Sequence, residues 1–466
     1  MRRKNPVLIL ISILLFTALN IAFSQQFTEM TEISLQGVVG SSIAWSDCDN
    51  DSDLDILLTG ATITGYFSKI YRNNGNSTFS EQSGISLKGG YNGSVDWGDY
   101  DNDGDLDILI TGYVDGDYVS KIYRNDGNET FNEQTEIGLP VVYKGSGAWG
   151  DYDCDGDFDI LLTGNTKTGT DITKIYENNG YNSFTVREGI SLTGVKNGSV
   201  AWGDYDNDGD LDILITGAGG TSGRFSKIYR NNGDKTFSEQ YEINLDRVLN
   251  SSSTWGDYDN DGDLDILLSG ASDEGLTYIS KIYRNNGDNT FSEQNNISLT
   301  GIIGGSVEWG DYDNDGDLDI LLTGHSNSGR VSKIYRNNGD NTFSEQIEIN
   351  LTAIGWSSGV WGDYDNDGDL DILLSGSSSD DFYVSKIYRN NNTNSNLKPS
   401  SPSELTASLV SNSNIALHWN KSYDNETPQN GLTYNLRVGI TPGGCEIKSP
   451  MADISTGYRE LFNSEM

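Results

Sequence analysis

Trp202-Gly203-Asp204-Tyr205-Asp206-Asn207-Asp208-Gly209-Asp210-Leu211-Asp212-Ile213-Leu214-Ile215-Thr216-Gly217 carries the fold of this chain in miniature. A run ending in an aromatic residue meets an aspartate-rich turn containing glycine. Beyond the turn a second run begins, rich in branched apolar side chains. After a variable stretch come Ser226-Lys227-Ile228-Tyr229-Arg230-Asn231-Asn232-Gly233 and Thr236-Phe237-Ser238-Glu239-Gln240. These segments read as four short strands, lettered a (ending at the Trp), b, c and d, with Asp-Gly, Thr-Gly and Asn-Asn-Gly between them.

The cassette repeats. Trp45, Trp97, Trp149, Trp202, Trp255, Trp309 and Trp361 follow one another at spacings of 52, 52, 53, 53, 54 and 52. A four-stranded unit of this length cannot bury both faces of its small sheet until neighbours flank it, which is the requirement that propeller blades meet. The seventh unit stops after Ser385-Lys386-Ile387-Tyr388-Arg389 without a strand d. Gln26-Phe27-Thr28-Glu29-Met30 matches the missing strand. The expected fold is therefore all-β, a seven-bladed β-propeller over residues 25–392 closed by its own N-terminal strand, with no unpaired repeat edge left over.

Between strands a and b, each unit carries five aspartates at alternate positions of a nine-residue loop. They are Asp47, Asp49, Asp51, Asp53 and Asp55 in the first copy, and Asp99, Asp101, Asp103, Asp105 and Asp107 in the second. Asp151, Asp153, Asp155, Asp157 and Asp159 form the third, and Asp204, Asp206, Asp208, Asp210 and Asp212 the fourth. The fifth has Asp257, Asp259, Asp261, Asp263 and Asp265, and the sixth Asp311, Asp313, Asp315, Asp317 and Asp319. Asp363, Asp365, Asp367, Asp369 and Asp371 complete the set. Carboxylates at positions 1, 3 and 5 with glycine at 6 follow the opening of an EF-hand loop, where position 7 coordinates through its carbonyl and position 9 adds an oxygen. Hard oxygen donors in that number suit Ca²⁺ over zinc or copper. Without a cation, each close carboxylate pair repels by ~1 to 4 kcal/mol depending on the local dielectric. Up to seven structural Ca²⁺ ions are expected. The Asp47–Asp55 site should be weakest, because Ser52 replaces the glycine at a position expected to need positive φ. Loop 3 has Cys154 where the others have Asn, at a position not expected to ligate.

At these residues the chain resembles the FG-GAP and VCBS repeat families, whose Asp-x-Asp-x-Asp-Gly-x-x-Asp loops sit in seven-bladed propellers such as the integrin alpha-subunit head. The resemblance spans about residues 26 to 392. It implies the ligand roles just given, with position 7 acting through its carbonyl. The Phe-Gly and Gly-Ala-Pro signatures are absent, so integrin-type partner binding does not carry over. Past an Asn/Ser-rich linker at 393–398, residues 399–466 resemble the first strands of a fibronectin type III domain. Ile415-Ala416-Leu417-His418-Trp419 and Thr433-Tyr434-Asn435-Leu436-Arg437-Val438 carry that likeness, and 68 residues are fewer than the full sandwich needs.

The chain has 69 acidic against 30 basic residues, a net charge of −39, which excludes a nucleic-acid partner. Of those acids 35 are the loop aspartates, and the remaining 34 nearly balance the bases. The acidity therefore describes a metal and not a partner. Two histidines and three cysteines leave zinc chemistry and most histidine-based catalysis without residues. Met1-Arg2-Arg3-Lys4, the apolar run Val7 to Ile21 and the small residues Ala22 and Ser24 read as a signal peptide over residues 1–24. A secreted or cell-surface protein with no transmembrane segment after cleavage is expected.

The b–c loops vary most between units. They offer Tyr66, Tyr113, Tyr118, Arg224, Phe225, Tyr278, Arg330, Phe382 and Tyr383 as a candidate ligand face on a rigid scaffold. The expected function is an adhesion or recognition module for extracellular protein or glycan, without catalytic residues. The alternative is a polysaccharide lyase or hydrolase on the same propeller.

Overall fold

The computed structural model describes residues 26–127, 130–180, 183–220, 223–272, 277–379, 382–392, 400–409 and 415–423. The expected signal peptide (1–24) and linker (393–398) lie outside them. So does most of the C-terminal segment, where the described residues form one antiparallel strand pair, Ser403–Leu409 with Ile415–Asn420. Among the described residues there is no helix, and none long and apolar enough to cross a membrane.

Unit 4 shows the repeating element. Strands a (Val200–Gly203), b (Asp212–Gly219), c (Gly223–Asn231) and d (Phe237–Glu239) pair antiparallel in that order, with Trp202 opposite Ile213, Leu214 opposite Ile228 and Tyr229 opposite Glu239. The same meander recurs along the chain. The last one, built on Ile354–Gly362, Asp371–Ser378 and Tyr383–Asn390, takes its outer strand from the N-terminus, with Phe27 opposite Asn390 and Glu29 opposite Tyr388. Neighbouring units touch through short extra pairings. Val142 bridges to Val119 and Thr166, and Phe225 to Val248.

Strand b is an unbroken apolar run because it is covered from both sides. Ile213, Leu214 and Ile215 are all fully buried. Leu214 joins a core cluster with Val248, Trp255 and Ile266 of unit 5, and Ile213 and Ile215 join one with Tyr152, Leu161 and Ile175 of unit 3. The core is thus divided into clusters that each lie between two successive units.

Three contacts set that spacing. In units 2 to 7 the glycine after the Trp lies under the Trp of the next unit, so a Cβ on Gly203 would stand 2.7 Å from Trp255 Cδ1, and one on Gly362 2.6 Å from Trp45 Cδ1. The loop tyrosine stacks on the same ring: Tyr205 on Trp255 at 6.1 Å and Tyr364 on Trp45 at 6.3 Å between centroids. The asparagine ending strand c is buried and donates to the carbonyl of that tyrosine position in the preceding unit, Asn231 Nδ2 to Tyr152 O and Asn73 Nδ2 to Tyr364 O, each at 2.8 Å. In all three respects the last unit meets the first as units 2 to 6 meet their successors; unit 1 departs, with Ser46 in place of the glycine and Cys48 in place of the tyrosine, while Asn125 Nδ2 still donates to Cys48 O at 2.9 Å.

The N-terminal strand is held by Phe27, 1% exposed, whose ring lies 5.9 Å from Tyr312 and 6.2 Å from Trp361. Phe27→Ala is expected to lower stability by about 3–5 kcal/mol, the usual range for removing a buried aromatic ring. Denaturant melts of the two proteins check it, and an unchanged midpoint would contradict the closing role of this strand.

Candidate metal centres and the variable rows

Each Asp loop is shaped by its own backbone before any cation is considered. In loop 4, Asp204 at position 1 accepts the N–H groups of Asp208 and Gly209 at 3.0 and 2.9 Å. Asp212 at position 9 accepts from Asn231 N at 2.7 Å and Tyr205 N at 3.2 Å. Asp208 accepts from Asp210 N at 3.1 Å. The turn needs left-handed backbone at positions 4 and 6, with φ of 56° at Asn207 and 91° at Gly209. Asparagine and glycine are the residues that take that region at least cost. Ser52 takes it in loop 1 with φ of 73°, and Cys154 in loop 3 with 56°.

Positions 1, 3 and 9 converge. Seven groups found among the described residues have carboxylate oxygens all within 4.8 Å of one another, among them Asp47, Asp49 and Asp55, Asp99, Asp101 and Asp107, and Asp204, Asp206 and Asp212. One oxygen of the position-3 carboxylate is buried without a hydrogen-bond partner in Asp49, Asp101, Asp153, Asp206, Asp259 and Asp365. Hard anionic oxygens aimed at one point and left unsatisfied fit a divalent cation such as Ca²⁺. When bound, the ion would neutralise carboxylates that the fold has removed from water. Burial pushes Asp212 up to about 8, and Asp159, Asp265, Asp319 and Asp371 to about 9.

The structure adds a cation that sequence reading passed over. The arginine of strand c bridges positions 3 and 5: Arg230 Nε lies 2.7 Å from Asp206 and its Nη2 2.8 Å from Asp208. Arg72, Arg284, Arg336 and Arg389 repeat the clamp on their own loops. Unit 3 has Glu177 in that place, and Lys235 of unit 4 reaches across to pair with Asp153 and, at 3.0 Å, with Glu177. The signal was present in the recurring Ser-Lys-Ile-Tyr-Arg of strand c, but only the b–c register shows that the arginine returns over the loop.

Position 7 has a different task. Its side chain accepts the amide of the preceding unit's position-4 asparagine, as in Asn207 Nδ2 to Asp263 at 2.8 Å and, from the last unit to the first, Asn366 Nδ2 to Asp53 at 2.9 Å. The exception is loop 3, where Cys154 Sγ faces Gly209 O at 3.7 Å and a thiol cannot supply the amide.

At the other end of the sheets, one residue of the d–a connection, one of strand b and one of strand c lie side by side in each unit. Unit 2 has Tyr91, Tyr113 and Tyr118 in this row, and unit 6 has Ile303, His325 and Arg330. Of the ligand-face candidates, Tyr66, Tyr118, Arg224, Tyr278, Arg330 and Tyr383 occupy the strand c place and Tyr113 the strand b place. Phe382 is 80% exposed beside Tyr383. Phe225 instead packs against the core cluster of units 3 and 4. Arg224 donates to Ala271 O at 3.0 Å and Arg330 to Ser377 Oγ at 3.2 Å, tying each row to the next unit. Residues outside the candidate set also stand here. Trp356 is 43% exposed, with left-handed φ of 48°, and meets the edge of His325 at 5.9 Å. On the inner strands Asp96 and Glu308 interrupt a level that elsewhere holds Ala, Thr or Val. Asp96 accepts from Trp97 N and Trp149 N at 3.1 and 3.0 Å, and burial raises Glu308 to about 8.

The chain carries FG-GAP-like repeats in four places, residues 47–110, 216–268, 270–322 and 311–374. No curated protein sequence matches it. Among solved structures it is similar to the V. cholerae biofilm matrix protein Bap1, at 10% identity and TM-score 0.39, covering 77% of this chain and 89% of that one. It is also similar to the Penicillium chrysogenum alpha-L-arabinanase complexed with arabinobiose, at 10% identity and TM-score 0.38, covering 78% and 97%. A third is the exo-beta-1,3-galactanase of Phanerochaete chrysosporium, at 11% and 0.31, covering 78% and 91%.

Two outcomes follow from the loop geometry. A carboxyl whose folded pKa lies above its unfolded value favours the unfolded chain as pH rises between the two. EDTA-treated protein should therefore lose thermal stability from about pH 5 to 9. Added Ca²⁺ should raise the melting temperature more at pH 8 than at pH 5, and equal calcium shifts at the two pH values would contradict the assignment. Ser52→Gly, relieving left-handed serine, is expected to stabilise the protein by about 0.5–1 kcal/mol and to tighten calcium binding at loop 1. Calorimetric melts and calcium titration measure both.

Proposed function

We propose that this chain is an exported, calcium-stabilised, closed seven-bladed β-propeller over residues 25–392 that serves as a recognition module for an extracellular protein or glycan. Residues 1–24 act as its signal peptide and residues 399–466 as part of a fibronectin type III-like domain. Closure is supported by the contacts of the last unit on the first through Trp45, Asn73 and Asp53. The calcium ligands are the Asp loops, with positions 1, 3, 5 and 9 acting through side chains and position 7 through its carbonyl.

One observation carries the recognition reading. The loop end keeps a common plan of Asp, Asn, Trp and Gly, with Ser46 and Ser52 in unit 1 and Cys154 in unit 3 as departures, while the row at the other end differs from unit to unit. A constant framework with variable residues at one end is how a binding face is mounted on a rigid scaffold. The ions act as structural ties and stand apart from that face. At calcium tenfold above its dissociation constant, each site would add about 1.4 kcal/mol.

Glycan-array and cell-surface binding of the full chain, with and without EDTA, together with calorimetric counting of calcium, tests this. Saturable binding that EDTA weakens, with close to seven ions per chain, is the expected result. Fewer than four ions would remove the calcium assignment. The alternative, a polysaccharide lyase or hydrolase, draws on the inner-strand acid Glu308, which unlike Asp96 accepts no backbone N–H among the described residues. It would be established by new unsaturated or reducing ends from a polysaccharide, lost in Glu308→Gln.

A further inference from the structure

The repeat supplies its own control. A residue present at the same place in every unit serves the scaffold, whereas a residue type concentrated in one sector at a place that otherwise varies needs another reason. The seven rows can be compared in this way, because their partners are in register throughout. In unit 2 all three places are tyrosine: Tyr91, Tyr113 and Tyr118. No other row holds more than one. The single tyrosines of the flanking rows, Tyr66 in unit 1 and Tyr143 in unit 3, turn toward the same spot.

Four of the five rings touch one another, and Tyr91 joins the row through its backbone bridge to Tyr113. Tyr113 meets Tyr66 edge-on at 5.5 Å, Tyr118 at 6.2 Å and Tyr143 at 5.6 Å, and Tyr118 stacks on Tyr143 at 5.3 Å with 28° between planes. Asn92 Nδ2 donates to Tyr143 Oη at 3.2 Å. All five side chains are partly exposed. They sit on paired strands at the place where the sheets of units 2 and 3 are stitched through Val142, so their orientation is set in advance and little side-chain entropy remains to be lost on binding.

We propose that Tyr66, Tyr91, Tyr113, Tyr118 and Tyr143 form a platform that binds a neutral polysaccharide. This rests on the recognition reading above and narrows it to one sector and one ligand class. The occupant follows from the chemistry of the patch. Its only rings are phenols, which present an apolar face to sugar C–H groups and a hydroxyl at the rim for sugar hydroxyls. The neighbouring charges are of both signs. Lys144 lies 5.4 Å from the Tyr143 ring centroid, Asp117 is paired with Lys167, and Asp115 stands at the hairpin tip. Asp115 and Asp117 oppose a polyanion and Lys144 a polycation, so an uncharged, polyhydroxylated chain is the complement.

The test uses the full chain in calcium against a panel of soluble neutral polysaccharides, namely β-glucan, mannan, galactan and arabinan, by affinity electrophoresis and calorimetry. The wild type should bind at least one. Tyr113→Ala and Tyr118→Ala should each weaken that binding by about tenfold or more, a change of about 1.4 kcal/mol. Tyr241→Ala, at an exposed tyrosine outside the rows, should leave it unchanged. Tyr66→Ala, at the exposed edge, and Tyr113→Phe keep the test valid if a core-side alanine variant fails to fold, and thermal melts identify such a failure. Polysaccharide binding that survives loss of these tyrosines and fails in another row would overturn the platform and leave the recognition reading standing. Capture of a protein with no polysaccharide binding would overturn the saccharide class alone. No binding to either would overturn both.

Discussion

An indole ring resting on the bare backbone of a glycine one unit away is the contact on which the rest of this architecture depends. Gly203 under Trp255 and Gly362 under Trp45 admit no Cβ. Neighbouring inner strands therefore approach closely enough for Tyr205 and Tyr364 to stack on the same rings. Once that distance is set, strand b has no solvent-facing side and must be apolar throughout, and the strand c asparagine can reach a carbonyl in the unit before it. A single small sheet has no stable existence of this kind, because half of each core cluster belongs to its neighbour.

The charge of the chain is organised by the same geometry. Carboxylates at positions 1 and 9 are fixed by backbone N–H groups and withdrawn from water. In units 1, 4, 5, 6 and 7 those at positions 3 and 5 meet the arginine of strand c, and those at position 7, Asp210 excepted, join one loop to the next. The arginines of units 1, 4, 5, 6 and 7 answer part of the repulsion in each loop, and the buried position-9 carboxyls are left with their pKa raised and no cationic side chain beside them. That residue of unsatisfied charge is what a divalent ion would meet. Unit 3 shows that the requirement is for a cation and not for one particular side chain: with Glu177 in the arginine position, Lys235 arrives from the next unit to pair with Asp153.

Repeated order at the loop end and individuality at the other end stand together within one sheet. The tyrosine row of unit 2, the exposed Trp356 against His325, and Arg224 and Arg330 reaching to the following unit all use places that the repeat leaves open. None of them is needed to hold strand b in place, so their side chains are free to differ.

The period of about 52 residues, the four strands, the aspartate spacing and the N-terminal origin of the last outer strand were all readable in the sequence, because each is a pattern of neighbours along the chain. The positive φ demanded of Ser52 was readable for the same reason. What only the tertiary structure decided are relations between residues distant along the chain, within a unit or across units. These include the arginine folded back over its own loop, the Asn-to-Asp amides from loop to loop, the packing of Phe225 into the core instead of on the open face, and the assembly of five tyrosines from three units. Such contacts are set by strand register and by the distance between sheets, and those are fixed when the units pack against one another.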